Sequence, residues 1–313
     1  MYYPYFRGKQ YDLITIRECA EVMASCGFVP IIEPVKEATN GLVRAIDAVN
    51  TVGGEITLIV NPQYGDLATD PSRIIDLLNE NYEHNANVYA GILLTDQIDC
   101  QQIEEIIEAV GQRKTLLIHA GFNDARGLQR ILKDDDDLVH VFLDGYSRRL
   151  YAKHFSEFEN VVIKNGFEKR ANRLHPPVEF FSDLHVTFAE DGAIGFGDYL
   201  IVGDEYSESG GPAYAVAIHL TFIDADQDDG MYIHHFKSDR FETPTDPAGK
   251  FAEALQKLVD DACGPNTKIF RSSAVEEFIE LYQRGHFPGL GYVKKLSMQH
   301  HIEVLADYFH GRE

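Results

Sequence analysis

Basic residues are scarce in this sequence, where 28 lysines and arginines stand against 50 aspartates and glutamates. The formal net charge is therefore -22 at pH 7. Direct binding of DNA or RNA through a broad electropositive face is disfavoured by this balance. An acidic surface fits a soluble protein, a basic protein partner or a metal-dependent site equally well.

Long apolar runs are also absent, because no stretch approaches the ~20 residues that a membrane span needs. The N-terminal residues 1–9 lack the apolar core of a signal peptide. We therefore predict a cytoplasmic protein with no membrane interaction. The four cysteines, Cys19, Cys26, Cys100 and Cys263, show no Cys-x-x-Cys spacing. Because cysteine is among the most buried residue types, we expect buried free thiols.

The familiar catalytic signatures are missing as well. There is no Walker motif, no Gly-x-Ser-x-Gly, no His-Glu-x-x-His and no six-residue glycine fingerprint. The pairs His234-His235 and His300-His301 are adjacent residues, whose side chains diverge on a strand or a helix. The sequence thus names no reaction, cofactor or metal, and it leaves open whether the protein is an enzyme.

A repeated unit organises most of the chain, and its clearest copy is Thr115–Asp124. An apolar run, Leu116–Ile118, stops at a polar residue and a glycine. An acidic residue, Asp124, then precedes a helical pattern over residues 125–132. This order is typical of a buried parallel strand that leads into a covering helix.

Eight such apolar runs occur at intervals of roughly 20 to 35 residues, which is typical of a (β/α)8, TIM-like barrel. A doubly wound open sheet is the competing fold. Strand eight is predicted at Tyr199–Val202, with a turn at 195–198 before it and an irregular loop with a short helix at 172–185. We expect one barrel domain over residues 1–313.

The last third of the chain adds a β-hairpin, predicted from the strand-like runs 214–223 and 231–236 around the acidic turn 224–230. Three helical patterns follow, at 251–262, 274–283 and 292–309. Residues 213–313 are predicted to pack on the barrel rather than to form a separate domain. Some apolar helix surface can remain for a contact between subunits.

Polar residues at the carboxyl ends of barrel strands converge on one mouth, where such folds build their sites. The proposed catalytic set is Lys9, Glu33, His119, Asp144 and Lys164. Further candidates at strand ends are Arg7, Asn61, Gln63, Asp96, Asn165 and Asp204. Several of them can equally be helix caps or loop residues without a chemical role.

Two candidates carry explicit alternatives. Glu33 lies inside the apolar run Ile-Ile-Glu-Pro-Val, so it must be paired or point into a polar mouth. It can be a general base, or a structural ion pair with Arg7 or Lys9 of the first strand. His119 can be a hydrogen-bonded barrel histidine or a metal ligand.

Lysines at strand ends and glycines near strands seven and eight suggest two further hypotheses. Lys9 or Lys164 can form a Schiff base with pyridoxal phosphate or a carbonyl substrate. Asn165-Gly166 and Gly195-Phe-Gly197 can cradle a phosphate, although turn formation alone explains these glycines.

Three segments resemble the "beta protein" family of bacteria and phage-related mobile elements. They are Tyr2–Tyr11, Pro30–Pro34 and Phe196–Gly203, with the matches Tyr3-Pro4, Lys9, Ile31-Ile32-Glu33 and Asp198-Tyr199. The resemblance implies no catalytic assignment, and only a role in phage–host conflict. Members of this family are expected to carry a Trp in the second half of their sequence. This chain contains no Trp and departs from the pattern there.

The predicted function is binding of a small anionic ligand at the carboxyl end of the barrel, with possible catalysis there. The alternative is a non-catalytic component of a phage-defence or toxin–antitoxin-like complex. In that case the acidic surface would hold a basic protein partner or a second copy of the chain.

Overall fold

A computed structural model describes residues 1–68, 70–132, 137–190, 192–208 and 210–310. It divides into two compact units, residues 1–165 with 187–199 and residues 166–186 with 200–313. The sequence-based prediction that residues 213–313 pack on the barrel stays a prediction. None of the helices in the described part of the chain has both the length and the apolar character needed to cross a bilayer.

The strands in chain order are β1 (Tyr5–Phe6), β2 (Ile31–Ile32), β3 (Ile56–Ile59), β4 (Val88–Thr95), β5 (Thr115–Ala120), β6 (Leu138–Leu143), β7 (Glu159–Ile163), β8 (Val178–Ser182), β9 (Gly195–Gly197), β10 (Ala217–Asp224) and β11 (Gly230–Lys237). The helices are α1 (Gln10–Glu18), α2 (Ala20–Ser25), α3 (Asn40–Thr51), α4 (Ser72–Tyr82), α5 (Cys100–Val110), α6 (Ala125–Ile131), α7 (Arg149–Ala152), α8 (Leu184–Thr187), α9 (Pro247–Ala262), α10 (Ser273–Arg284) and α11 (Leu290–His310).

The first unit is a barrel of parallel strands in the order β1-β2-β3-β4-β5-β6-β7-β9. Its ends are joined by hydrogen bonds from Tyr3 N–H to the Phe196 carbonyl, 2.7 Å, and from Tyr5 N–H to the Asp198 carbonyl, 2.9 Å. Helices alternate with the strands over most of this unit. The predicted TIM-like (β/α)8 barrel is therefore confirmed.

The barrel interior is filled by alternate side chains of its strands, because neighbouring residues of a strand point to opposite faces. One cluster of buried residues joins Ile31, Ile59, Leu116, Val141 and Ile163 from five different strands. A side-chain cap starts helix α6 of the outer layer. The Asp124 carboxylate accepts from Gly127 N–H at 2.9 Å at the start of α6, as its position before the helix predicted.

The prediction of strand eight is wrong in position. The last barrel strand is β9, Gly195–Gly197, within the segment 195–198 that was predicted as a turn, and residues 199–202 lie beyond it. Three residues with two glycines give almost no apolar signal, so the longer run that follows was mistaken for the strand.

The second unit contains a three-stranded antiparallel sheet in the order β10-β11-β8. The predicted hairpin is present as β10 and β11, with Ala217 opposite Lys237 and Asp224 opposite Gly230. The segment predicted as a loop with a short helix contains β8, which pairs with β11. One core buries Leu220 and Phe222 of β10 with residues of α9, α10 and α11, such as Phe251 and Phe278.

The four thiols are all free, but they are not all buried as expected. Cys19 is buried, Cys26 and Cys100 are partly exposed, and Cys263 is exposed. Cys263 follows the last residue of α9, a position that the helix leaves open to solvent.

Candidate functional site

The strongest constellation at the barrel mouth centres on Glu33, which follows β2 and is fully buried. Its carboxylate accepts hydrogen bonds from the Tyr5 hydroxyl at 2.8 Å and from Gln63 N–H at 2.9 Å. It also forms an ion pair with the Arg7 guanidinium. The predicted ion pair between Glu33 and the first strand is therefore confirmed, with Arg7 as the partner.

Aromatic rings enclose the Arg7 side of this pair. The guanidinium carbon lies 5.1 Å from the Tyr5 ring centroid, 4.9 Å from that of Tyr64 and 5.6 Å from that of Tyr199. Such distances allow cation–π attraction. Burial, followed by the charge of Glu33, raises the pKa of Tyr5 well above its usual value. Tyr5 therefore stays protonated and donates to the carboxylate.

This geometry favours the structural role of Glu33 over the general base. Three donors, the Tyr5 hydroxyl, Gln63 N–H and the Arg7 guanidinium, already hold the carboxylate. The side chain is also shielded from water. Gln63 N–H donates to the Glu33 carboxylate, so the Arg7–Glu33 ion pair also holds the loop that follows β3.

Lys9 lies at the start of α1. It is the residue before the first helical turn, and its N–H donates to the Asp12 carboxylate at 3.2 Å. The acidic Asp12 in the first turn also suits the helix dipole.

Asn61 continues the sheet beyond the end of β3. Its side-chain amide donates to the Leu93 carbonyl at 2.9 Å, and its amide oxygen accepts from Leu93 N–H at 2.7 Å. The side chain thus takes the place of one more peptide unit opposite β4. Both of its polar ends are used, so Asn61 shapes the mouth.

A cavity of about 410 Å³ opens beside Asn61, between the loops that follow β3 and β4 and helix α5. Its lining combines apolar side chains with amides, and it contains one carboxylate, Glu105. The lining residues are Asn61, Pro62, Gln63, Ala68, Pro71, Leu93, Thr95, Gln97, Ile98, Gln102, Glu105 and Ile106. Asp96, predicted for the mouth, is exposed and accepts from the Gln97 side chain at 3.2 Å.

The prediction that His119 faces the mouth is wrong. Its ring is fully buried, 2.8 Å from the Tyr151 hydroxyl through Nδ1 and 2.9 Å from His140 Nδ1 through Nε2. It stacks on Phe142, with centroids 4.5 Å apart. Alternation explains the placement, since Leu116 and Ile118 fill the barrel and His119 must point outward to the helix layer. The hydrogen-bonded alternative for His119 is the one observed.

We expect the buried imidazole of His140 to make the stability of the protein depend on pH. Burial lowers the pKa of His140 to about 4 from its usual value of 6.5. Its contribution to stability is then complete above about pH 6.5 and is lost as the pH falls to about 4, because the unfolded chain takes the proton first. The loss is roughly 3 kcal/mol at 1.36 kcal/mol per pKa unit.

We expect His140→Gln to flatten the decrease in unfolding free energy between about pH 7 and pH 4 by roughly this amount. Urea denaturation across that range measures it. The control is His84→Gln, because the side chain of His84 is 92% exposed. Equal slopes for the wild type and His140→Gln would contradict the assignment.

Three predicted residues lie at the ends of β6 and β7. Asp144 is exposed, and its N–H donates to the Ile163 carbonyl at 2.8 Å. Lys164 is half-buried, and its N–H donates to the Gly197 carbonyl at 3.0 Å. Asn165 is exposed.

The proposed phosphate cradle is not formed by Gly195 and Gly197. Both are buried in β9. A Cβ on Gly195 would lie 2.6 Å from the Tyr3 ring, and one on Gly197 would lie 2.1 Å from the Tyr3 carbonyl oxygen. The glycines therefore permit close approach of Tyr3, which precedes β1. Gly166 lies in the second unit, where a Cβ would lie 2.6 Å from the Phe181 ring. Asp204 belongs to that unit too.

Sequence reasoning did not single out the three tyrosines around Arg7. A signal existed for Tyr5, because Tyr5 and Arg7 are two residues apart and so share a face of the first strand. Tyr64 and Tyr199 lie in loops beyond β3 and β9. Nothing in their local pattern links them to Arg7.

Comparison with known proteins gives little beyond this geometry. No family model matches the chain, and no curated protein matches it. The resemblance to the beta protein family therefore stays a prediction. Among solved structures, the chain is similar to one described as a dihydrodipicolinate synthase family protein from Coccidioides immitis. The alignment has 9% identity and a TM-score of 0.46, and it covers 97% of this chain and 83% of the other.

Proposed function

We propose that the barrel binds a small, uncharged, hydrogen-bonding ligand in the cavity beside β3 and β4. The carrying observation is the cavity itself, whose volume of about 410 Å³ falls within the range of about 300–1,000 Å³ usual for ligand sites. It lies at the carboxyl end of the strands, where barrels of this class build their sites.

The lining favours a neutral ligand over the anion expected from the sequence. The cavity residues include amides and Glu105 but no lysine or arginine. Arg7, a cation predicted for the barrel mouth, is held by Glu33. An anion would therefore meet a carboxylate and no compensating positive charge, which is unfavourable in a partly enclosed site.

Gln63 is the best candidate for a direct contact. Its side chain is exposed at the cavity, and its backbone N–H is held by Glu33 at 2.9 Å. Gln97 and Gln102 also line the cavity, but Gln102 accepts from Asp99 N–H at 3.0 Å as part of the α5 cap. Leu93, Ile98 and Ile106 supply the apolar walls. The arrangement suits a ligand that is apolar on one side and has a donor and an acceptor on the other.

We expect ligand-observed NMR with the full chain to detect binding of neutral amides and heterocycles in preference to phosphates and carboxylates. Gln63→Ala should weaken binding about 3- to 10-fold, the effect of one lost hydrogen bond. Ala68→Phe should abolish it by filling the cavity. The control is Gln101→Ala, since Gln101 lies on α5 but does not line the cavity.

Two results would reject this site. Compounds that bind equally to all three variants would bind elsewhere. If phosphates or carboxylates bind preferentially and still bind the Ala68→Phe variant, the ligand is an anion that binds at a different part of the barrel mouth.

The alternative proposal, a basic protein partner, is supported by the net charge of -22. The acidic hairpin tip supports it less, because Lys268 already pairs with Asp224 at 2.6 Å and with Asp226 at 3.4 Å. The sequence contains a second acidic cluster, Asp134–Asp137, which lies outside the described residues except for Asp137. The cavity therefore carries the stronger functional argument.

A further inference from the structure

Three imidazoles and a carboxylate meet on one face of the sheet in the second unit. His219 of β10 lies directly opposite His235 of β11. Glu179 of β8 lies opposite Ile233, two residues from His235 and thus on the same face. His175 precedes β8. These residues all belong to the second unit.

The spacing of three of these side chains suits a metal ion. His235 Nε2 lies 2.9 Å from Glu179 Oε1, and His175 Nδ1 lies 3.4 Å from the same oxygen. One ligand atom from each of His175, Glu179 and His235 lies within 4.8 Å of the others. Ligands of a tetrahedral Zn²⁺ at about 2.0–2.1 Å are roughly 3.3 Å apart, so small side-chain movements complete the geometry.

His175 supplies a second, independent observation. Its side chain is buried, with the residue 2% exposed, and its Nε2 has no hydrogen-bond partner within the described ranges. Its Nδ1 contact of 3.4 Å to Glu179 is longer than an ordinary hydrogen bond. Nδ1 is the nitrogen on the Glu179 side, so it can coordinate a cation while Nε2 keeps the ring proton.

Burial also favours the neutral form of these histidines, since it lowers the pKa of His175 and of His219, and lowers the pKa of His235 to about 4. A neutral imidazole offers a lone pair without first losing a proton.

Two neighbouring cations are compatible with a bound metal. Arg170 Nη2 donates to Glu179 Oε2 at 2.9 Å, which leaves Oε1 directed at the histidines. The Lys237 ammonium group donates to the His175 backbone carbonyl. Hydrogen bonds of this kind orient metal ligands from outside the coordination sphere.

We propose that His175, Glu179 and His235 bind one divalent transition-metal ion, with Zn²⁺ as the best fit. Two imidazoles and one carboxylate suit Zn²⁺, whereas Ca²⁺ and Mg²⁺ prefer oxygen ligands alone. Three protein ligands leave a fourth position for water, as in the open sites of zinc enzymes. The site consists of residues of the second unit alone, so the proposal does not depend on the function proposed for the barrel cavity.

His219 positions the site through its contact with His235, 2.7 Å between the two Nδ1 atoms. Without metal, His235 donates from Nε2 to Glu179 and accepts at Nδ1 from His219. With metal, Nε2 of His235 coordinates, so its proton lies on Nδ1 and is donated to His219 Nδ1. Both rings change tautomer, and neither changes charge.

The test is a titration of the full chain with ZnCl₂ after treatment with a chelator and its removal, followed by calorimetry. We expect one high-affinity Zn²⁺ per chain and a rise in melting temperature on binding. Glu179→Gln and His175→Gln should each weaken this site by about 100-fold or more, and His219→Ala by about 10- to 100-fold. Zn²⁺ should raise the melting temperature of the two ligand variants much less.

The matched control is His234→Gln. His234 neighbours His235 on β11 but points to the opposite face, with its Nδ1 3.8 Å from Asp261. Its variant should bind Zn²⁺ like the wild type. Two ligand variants are used so that failure of one to fold does not decide the result. A wild type that binds no Zn²⁺, or ligand variants that bind it as tightly as His234→Gln, would overturn the proposal.

Discussion

Replacing Glu33 by Gln is expected to lower the free energy of unfolding by about 3–5 kcal/mol, the cost of breaking a buried ion pair from one side. The change leaves the Arg7 guanidinium enclosed by three tyrosine rings without its carboxylate. It also weakens the acceptor for Gln63 N–H, which holds the loop after β3. Urea denaturation followed by circular dichroism measures the change.

The matched control for Glu33→Gln is Glu37→Gln. Glu37 also pairs with an arginine, Arg73, at 2.7 Å, but its side chain is 68% exposed. Exposed pairs contribute about 0–1 kcal/mol, so this variant should be nearly as stable as the wild type. The double variant Arg7→Met/Glu33→Gln should be less destabilised than the sum of its single variants, because the uncompensated charge is gone. A Glu33→Gln protein of wild-type stability would restore the catalytic interpretation of Glu33.

The barrel could be predicted from the sequence because its signal is local. The continuous apolar runs of β4, β5 and β6 each lead into a turn and a helical pattern, and the eight repeats favour a (β/α)8 barrel over a doubly wound sheet. The sequence pattern does not predict a strand whose pairing partner is distant in the sequence. Residues 178–181 gave no strand pattern of their own, and they form β8 only because β11, more than fifty residues later, supplies the partner.

The residues of the candidate site also include some that could be predicted from the sequence and some that could not. Glu33 was recognisable, because a carboxylate inside an apolar strand needs a partner and Arg7 lies on the neighbouring strand. His119 was misplaced because its position at a strand end was considered without its parity. The alternation with Leu116 and Ile118 already indicated that it faces outward.

The proposed metal site had no readable pattern. Its ligands His175, Glu179 and His235 come from a loop and two strands, and only the pairing of β8 with β11 brings them together. His235 was noticed in the sequence only as half of an adjacent pair, whose two rings diverge. The informative relation was the one across the strands, with His219.

Replacing Gly197 by Ala is expected to destabilise the barrel by about 3 kcal/mol or more, at the upper end of overpacking effects. The added Cβ would lie 2.1 Å from the Tyr3 carbonyl oxygen and 3.0 Å from Ile163 Cγ1. The Tyr3 carbonyl oxygen belongs to the backbone, so it cannot move away from the added Cβ as the end of a flexible side chain could. The residues on either side of Gly197 accept the closing bonds from Tyr3 N–H and Tyr5 N–H, so relief of the clash costs barrel closure.

The control for this position is Gly211→Ala, where an added Cβ meets nothing within 4 Å. Its stability should be unchanged or should rise by about 0.4–1 kcal/mol, because alanine restricts the unfolded chain. Thermal and urea denaturation of the two variants separate the roles proposed for the Gly-Phe-Gly segment. A phosphate cradle would tolerate Gly197→Ala in the folded protein and lose only ligand binding. If β9 closes the barrel, Gly197→Ala lowers the stability of the protein even without a ligand. A Gly197→Ala variant as stable as Gly211→Ala would exclude this role of β9.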